Sequence, residues 1–367
     1  MKLISTSVIY ENPLPILKSI QSAFPSICEL DDGEILASHQ LGEAFESVNG
    51  TSYVSRSVDG GKTFLPPKQM FNKKRERPIR SDCCKLTKLK NGNVMALGYQ
   101  FLRKDKNLPI GNGETGGLLD DEVFFSVSKD NGNTWSKRKV IKCAWGPHVE
   151  ASAPIYELAD GSLATPITGF ADWNGNKTLP ADGRLLRSFD NGRTFNDDVI
   201  CMEFEDKNIS CFEQRICQLD NGDLIVIGWN ENLKTGELLC NHYTISKDNG
   251  KTFSKPESTG IKGQASSVLA LGGNKILALH CLRRDCENPG IYGYIVDLSE
   301  GKWDIKESAL LWAPNVPVLK DKNMAGVFAF LKFGQPTAIK LKDGRFLMSF
   351  WACENGQYKT YCSEIEL

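Results

Sequence analysis

Along most of this chain apolar and polar residues alternate in short runs, and Asp-Gly or Asn-Gly pairs interrupt the runs at wide, similar intervals. A period of two predicts strands, and Asp-Gly between apolar runs predicts a tight hairpin turn. The signal recurs as Leu30-Asp-Asp-Gly33, Leu89-Lys-Asn-Gly92, Leu158-Ala-Asp-Gly161, Leu219-Asp-Asn-Gly222 and Leu341-Lys-Asp-Gly344, each followed by further apolar positions. Leu271-Gly-Gly-Asn274 is a looser copy. The six leucines stand 59, 69, 61, 52 and 70 residues apart.

A second pattern, Ser-x-Asp-x-Gly-x-Thr-aromatic, interleaves with the first. It appears at Ser57–Phe64, Ser128–Trp135, Ser188–Phe195 and Ser246–Phe253, with its aspartates (Asp59, Asp130, Asp190, Asp248) 71, 60 and 58 residues apart. The pattern describes a stapled turn. Asp accepts from nearby backbone N–H groups, Gly takes a left-handed φ, and the aromatic plugs the layer beneath. These aspartates are expected to be structural. A fifth copy has decayed to Asp297-Leu-Ser-Glu-Gly301-Lys-Trp303.

Each unit therefore reads strand, Asp-Gly turn, strand, variable loop, strand, stapled turn, strand. Four antiparallel strands per unit of about 60 residues make the blade of a β-propeller. The last unit runs out of chain, and the opening run Leu3–Ile9 supplies its missing strand. The expected fold is all-β: a six-bladed β-propeller of four-stranded antiparallel blades, closed by the N-terminal strand. Residues 1–367 then form one domain, where length alone suggested two or three.

Composition narrows the function. With 44 Lys+Arg against 45 Asp+Glu the net charge is −1, which argues against nucleic acid as the main partner. The basic run Lys73–Arg80 is read as a solvated loop. No apolar run approaches the length of a membrane span, and the start lacks a signal-peptide core, so a cytoplasmic chain (or a mature form without its leader) is expected. In that compartment the twelve cysteines are expected as reduced thiols. The four histidines, His39, His148, His242 and His280, lack metal-ligand spacing, and the reading calls for no metal and no cofactor. The triplets at Asn49, Asn176 and Asn208 matter only if the chain is secreted.

The stapled turns on six units resemble the Asp-box (BNR) repeats of the sialidase, or neuraminidase, superfamily, over essentially the whole chain. The resemblance implies a glycoside hydrolase fold but not its activity, because the box is scaffold. Sialidases hold the substrate carboxylate with three arginines, the first in an Arg-Ile-Pro motif. That place here reads Ala23-Phe24-Pro25-Ser26-Ile27. A second family arginine falls ten residues after the Leu of the blade carrying the catalytic Glu, where this chain has Trp229. Glu213, six residues before Leu219, does match the family glutamate that activates a tyrosine nucleophile. Tyr361 is the candidate tyrosine.

Propeller topology locates a site independently. Both turn types lie at one end, so the opposite end carries the starts of first strands, the ends of second strands and the variable loops. Reading back six to eight residues from each repeat Leu gives Asp82, Glu150, Glu213, Gln264 and Gln335. His39, Tyr99, Trp229, His280 and Trp351 stand at second-strand ends. Carboxylates for acid/base work, amides for hydroxyls and flat rings for sugar faces suit a carbohydrate pocket. Asp82, Glu150 and Glu213 are the candidate catalytic residues. His39, Arg103, Trp229, Gln264, His280, Arg283, Gln335 and Trp351 are the candidate substrate contacts.

Two long connections join this end. Gln100–Glu122, with Arg103 and glycines at 111, 113, 116 and 117, reads as a lid, and Met324–Leu331 as an apolar cover or subunit contact. Arg80, Arg103, Arg283 and Arg284 offer charge for an acidic sugar. The leading expectation is an exo-acting glycosidase for a sugar other than, or besides, sialic acid. An exo-α-sialidase with rearranged arginines, and a non-catalytic glycan-binding or scaffolding propeller, are the alternatives.

Overall fold

The computed structural model describes residues 1–74, 76–315 and 332–367. Among them six four-stranded antiparallel sheets form the blades of a β-propeller. Blade one runs Gln21–Glu29, Ile35–Gly42, Thr51–Ser57 and Lys68–Gln69. Blade two is Ile79–Lys88, Val94–Arg103, Asp121–Ser128 and Lys139–Ile141. Blade three is Leu163–Gly169, Gly183–Ser188 and Asn196–Met202 behind an innermost strand split into Val149–Glu150 and Tyr156–Glu157. Blade four is Phe212–Gln218, Leu224–Trp229, His242–Ser246 and Glu257–Ser258; blade five is Ser266–Gly272, Lys275–Leu282, Gly290–Asp297 and Asp304–Trp312. Blade six joins Phe333–Lys340, Phe346–Glu354 and Gln357–Glu366 to the N-terminal strand Lys2–Tyr10. The opening of the chain thus closes the ring, as expected.

The turns follow from residue type. Gly33, Gly92, Gly161, Gly222 and Gly344 adopt φ of 80–92°, a region that any Cβ disfavours. In each, the N–H of the repeat leucine donates to the carbonyl four residues on, as from Leu30 to Glu34 at 2.8 Å. The stapled turns place two left-handed residues in succession, such as Asn131 (56°) and Gly132 (81°), which explains Asn or Gly before the invariant Gly. Their aspartates take every donor within reach. Asp190 Oδ1 accepts from Ser188 Oγ and from the N–H groups of Arg193 and Thr194, and Oδ2 accepts from Thr194 Oγ1 at 2.6 Å. These bonds favour the ionised form and lower the carboxyls of Asp130 and Asp190 to about 2.

Packing is between blades. Buried apolar clusters join blade six to one (Ile9, Ile27, Ile35, Leu347), one to two, two to three, three to four, four to five and five to six. Each stapled-turn aromatic enters the cluster shared with the preceding blade: Phe64, Trp135, Phe195, Phe253 and, in the decayed copy, Trp303. The turn signal at one end of a blade is therefore also a packing signal along the ring. Apart from Cys286, the cysteines stand as free thiols, most of them buried.

Candidate functional site on the propeller axis

The innermost strands of blades one, four and six share one distortion. Their ladders slip between Ala23 and Ser26, Phe212 and Arg215, and Gly334 and Thr337. The slip centres on a left-handed non-glycine residue: Phe24 (φ 56°), Glu213 (42°) and Gln335 (50°). All three lie six residues before their repeat leucine. A β-bulge re-aims the side chain it carries, and backbone of this kind persists only where surrounding contacts fix it.

Glu213 is where those contacts converge. Its Oε2 accepts the indole N–H of Trp229 at 2.9 Å, and its Oε1 accepts the Gln335 side-chain N–H of blade six at 2.5 Å. Its own main-chain N–H donates to Glu150 Oε2 of blade three at 2.9 Å, while Glu150 Oε1 accepts from the Ser152 N–H. Lys85 of blade two donates to Gln335 Oε1 at 2.9 Å and to the Pro25 carbonyl of blade one at 3.0 Å. From blade five, Arg283 donates to Gln264 Oε1 and to the Phe333 carbonyl of blade six. Gly334 permits that approach, since a Cβ there would lie 2.6 Å from Arg283 Nη1. Glu213 is thus bonded to blades three and six and to its own blade, and Lys85 ties blades one and two to the amide that holds it.

Electrostatics separate the two carboxyls. Glu150 is 3% exposed, and burial, followed by the Glu213 charge, raises it above the usual carboxylate range. Glu213 keeps partial exposure and receives two neutral donors. Lys85 and Arg215 are buried beside them, and among the described residues neither has a carboxylate within salt-bridge distance. Arg215 Nη1 donates to Ser152 Oγ and the Gln214 carbonyl, and its Nε finds no acceptor there. Burial pushes the Tyr99 hydroxyl well up, with Cys83, Glu150 and Glu213 adding to the shift. No group of three or more His, Cys, Asp or Glu side chains is placed to hold a metal ion among the described residues.

Several candidate residues stand elsewhere. Asp82 faces blade one: Thr51, both donors of Ser52, Arg138 and Lys73 saturate its carboxylate. It lies seven residues before Leu89 on an unbulged strand, and one residue of register reverses the face. The same contacts correct the reading of Lys73–Arg80 as solvated, since Lys73 pairs with Asp82 and Arg80 with Glu122. His39 is buried between Ser22 and Ser55, stacked on Tyr10. His280 is bonded to Ser266 Oγ and set edge-on to Tyr294. Burial lowers both imidazoles to about 3, so they are neutral interior groups and not sugar contacts.

Trp351 is 1% exposed against Phe24, Phe45 and Tyr358, and packs rather than stacks on a ligand. Arg103 donates to the carbonyls of Glu46 and Leu108, so it pins a loop. That loop is no free lid. Asn112, Thr115 and Leu118 bond to Trp173 and Ala171 of the neighbouring blade's connection. Arg284 is paired with Glu231. Tyr361 lies in the third strand of blade six with its hydroxyl on Glu354 at 2.6 Å, away from Glu213. Met324–Leu331 lies outside the described residues. Sequence reading missed Lys85 and Arg215, both four residues before their repeat leucines, although the register that found Glu213 also reaches them.

Comparison with solved structures bears on the fold. The chain is similar to a Dyadobacter fermentans protein of unknown function over 100% of its own length and 98% of that chain (21% identity, TM-score 0.76). It is similar to the Hadza microbial sialidase Hz136 (15%, 0.64) and to the NanB sialidase of Streptococcus pneumoniae (13%, 0.68). The fold is that of the sialidase propellers. Against those two the chain spans 65% and 70% of their length. No protein-family model matches the sequence, and no curated protein matches it either.

Proposed function

We propose that this chain is an exo-acting glycoside hydrolase that uses Glu213 and Glu150 on a sugar other than sialic acid. The observation that supports it best is the bond from the Glu213 main-chain N–H to Glu150 Oε2, which brings together two glutamates of adjacent blades whose carboxyls sit in unlike environments. Such a split assigns acid and base roles. Glu150, whose burial favours the protonated form, donates a proton to the glycosidic oxygen as the C–O bond breaks. Glu213, kept as an acceptor by Trp229 and Gln335, either bonds to the anomeric carbon or takes a proton from the attacking water. The positive charge of Arg283 favours a substrate carrying negative or electron-rich groups.

A tyrosine-based sialidase mechanism is disfavoured, because the side chain bonded to Glu213 from blade six is an amide. Gln335 cannot serve as a nucleophile, and Tyr361 is engaged with Glu354. The same amide favours a second reading, a glycan-binding propeller in which Glu213 only accepts sugar hydroxyls. Screening aryl glycosides, a sialyl one included, separates the two readings. Hydrolysis that E150Q abolishes for poor leaving groups and spares for a dinitrophenyl aglycone supports the enzyme. Saturable glycan binding with no cleaved glycoside supports the binding module.

A further inference from the structure

Lys85 has an unusual position for a lysine. It lies on the innermost strand of blade two, 3% exposed, within the electrostatic reach of Arg215 and Glu213. Among the described residues, neutral oxygens hold it, the Pro25 carbonyl and Gln335 Oε1. A buried ammonium costs free energy unless it is paired and hydrogen-bonded, and here hydrogen bonds to neutral oxygens take the place of a counter-charge. Burial, and then the Arg215 charge, lowers it to about 7.

The neighbouring amide gives the bond its consequence. A glutamine side chain presents an acceptor on one side and a donor on the other. Lys85 donates, so Gln335 turns its oxygen to Lys85 and its NH2 to Glu213 Oε1. Were the amide reversed, its oxygen would face the Glu213 carboxylate and repel it. We infer that Lys85 is a positioning residue for Glu213, acting through Gln335: by fixing the direction of that amide across the channel it holds a donor, not an acceptor, against Glu213 Oε1. This rests on the reading of Glu213 as the acting carboxylate, and it identifies a residue that sets the state of that group without touching it.

The test is a carboxyl-carbon NMR titration of Glu213 in the ligand-free full chain, with the resonance assigned by its loss in E213Q. In K85M and in Q335M the Glu213 resonance titrates about one pH unit higher than in wild type, the size expected for a lost donor. Adding K85M to Q335M moves it no further. K85Q, which keeps a donor but no charge, stays near wild type, and it also covers the case in which K85M fails to fold. Equal K85M shifts in the wild-type and Q335M backgrounds, or K85Q behaving as K85M, would mean that Lys85 acts through space by its charge, and would overturn the inference. No substrate is involved. A silent glycoside screen with these titrations as expected removes the enzymatic reading alone, and glycoside cleavage with flat titrations removes the relay alone.

Discussion

Trp229 donates its indole N–H to Glu213 Oε2 at 2.9 Å, from the end of the second strand of blade four to the bulge of the first. Trp229 stands where the sialidase resemblance calls for an arginine. A cation that would grip a substrate carboxylate is here a neutral donor that grips the protein's own glutamate. The indole therefore supports a glutamate of the chain itself.

W229F keeps an aromatic ring against Phe212 but removes that donor, together with part of the buried indole. A hydrogen bond to a charged acceptor is worth about 1.5–3 kcal/mol, so losing it disfavours the carboxylate. The acid limb of kcat/KM moves to higher pH by about one unit, and kcat falls about tenfold or more. A pH–rate profile of W229F checks this, and an unmoved acid limb contradicts it.

His39 and His280 make stability pH-dependent in a defined window. Their folded-state values are lowered to about 3, against about 6.5 in an unfolded chain. Between those values the unfolded state binds more protons, so stability falls as pH drops below about 6.5, by up to about 1.4 kcal/mol per pH unit for each histidine. Urea unfolding between pH 7 and 4 measures the slope. H39Q flattens it, and a slope identical to wild type contradicts the assignment.

Tyr361 separates this account from a tyrosine-nucleophile mechanism. Its hydroxyl bonds Glu354 and its ring stacks on Phe350 within the blade five–six cluster. Y361F leaves the rate of glycoside cleavage within about twofold and lowers stability by about 1 kcal/mol. Loss of all activity in a folded Y361F protein would return the tyrosine to the mechanism.

The fold was legible because its signals are local. Each Asp-Gly turn needs its own left-handed glycine and each stapled turn its own aspartate, so every blade announces itself within a few residues. The site was legible only in part, since it is assembled across the ring. Counting six residues back from the repeat leucine found Glu213 and Gln335, because the bulge recurs there. Counting seven found Asp82, whose side chain turns to the other face. His39 and His280 read as channel residues from strand position alone, but the serines that bury them come from neighbouring strands. Glu213 and Gln335 are 122 residues apart, and nothing in either segment alone announces their bond.

The claim on which the functional reading turns is that Glu213 does the chemistry. The direct measurement is steady-state hydrolysis of the best aryl glycoside from the screen by wild type and by E213Q, at equal folded concentration. The reading predicts a loss in kcat of at least about a thousandfold with the folded state intact. Cleavage by E213Q at the wild-type rate would contradict it.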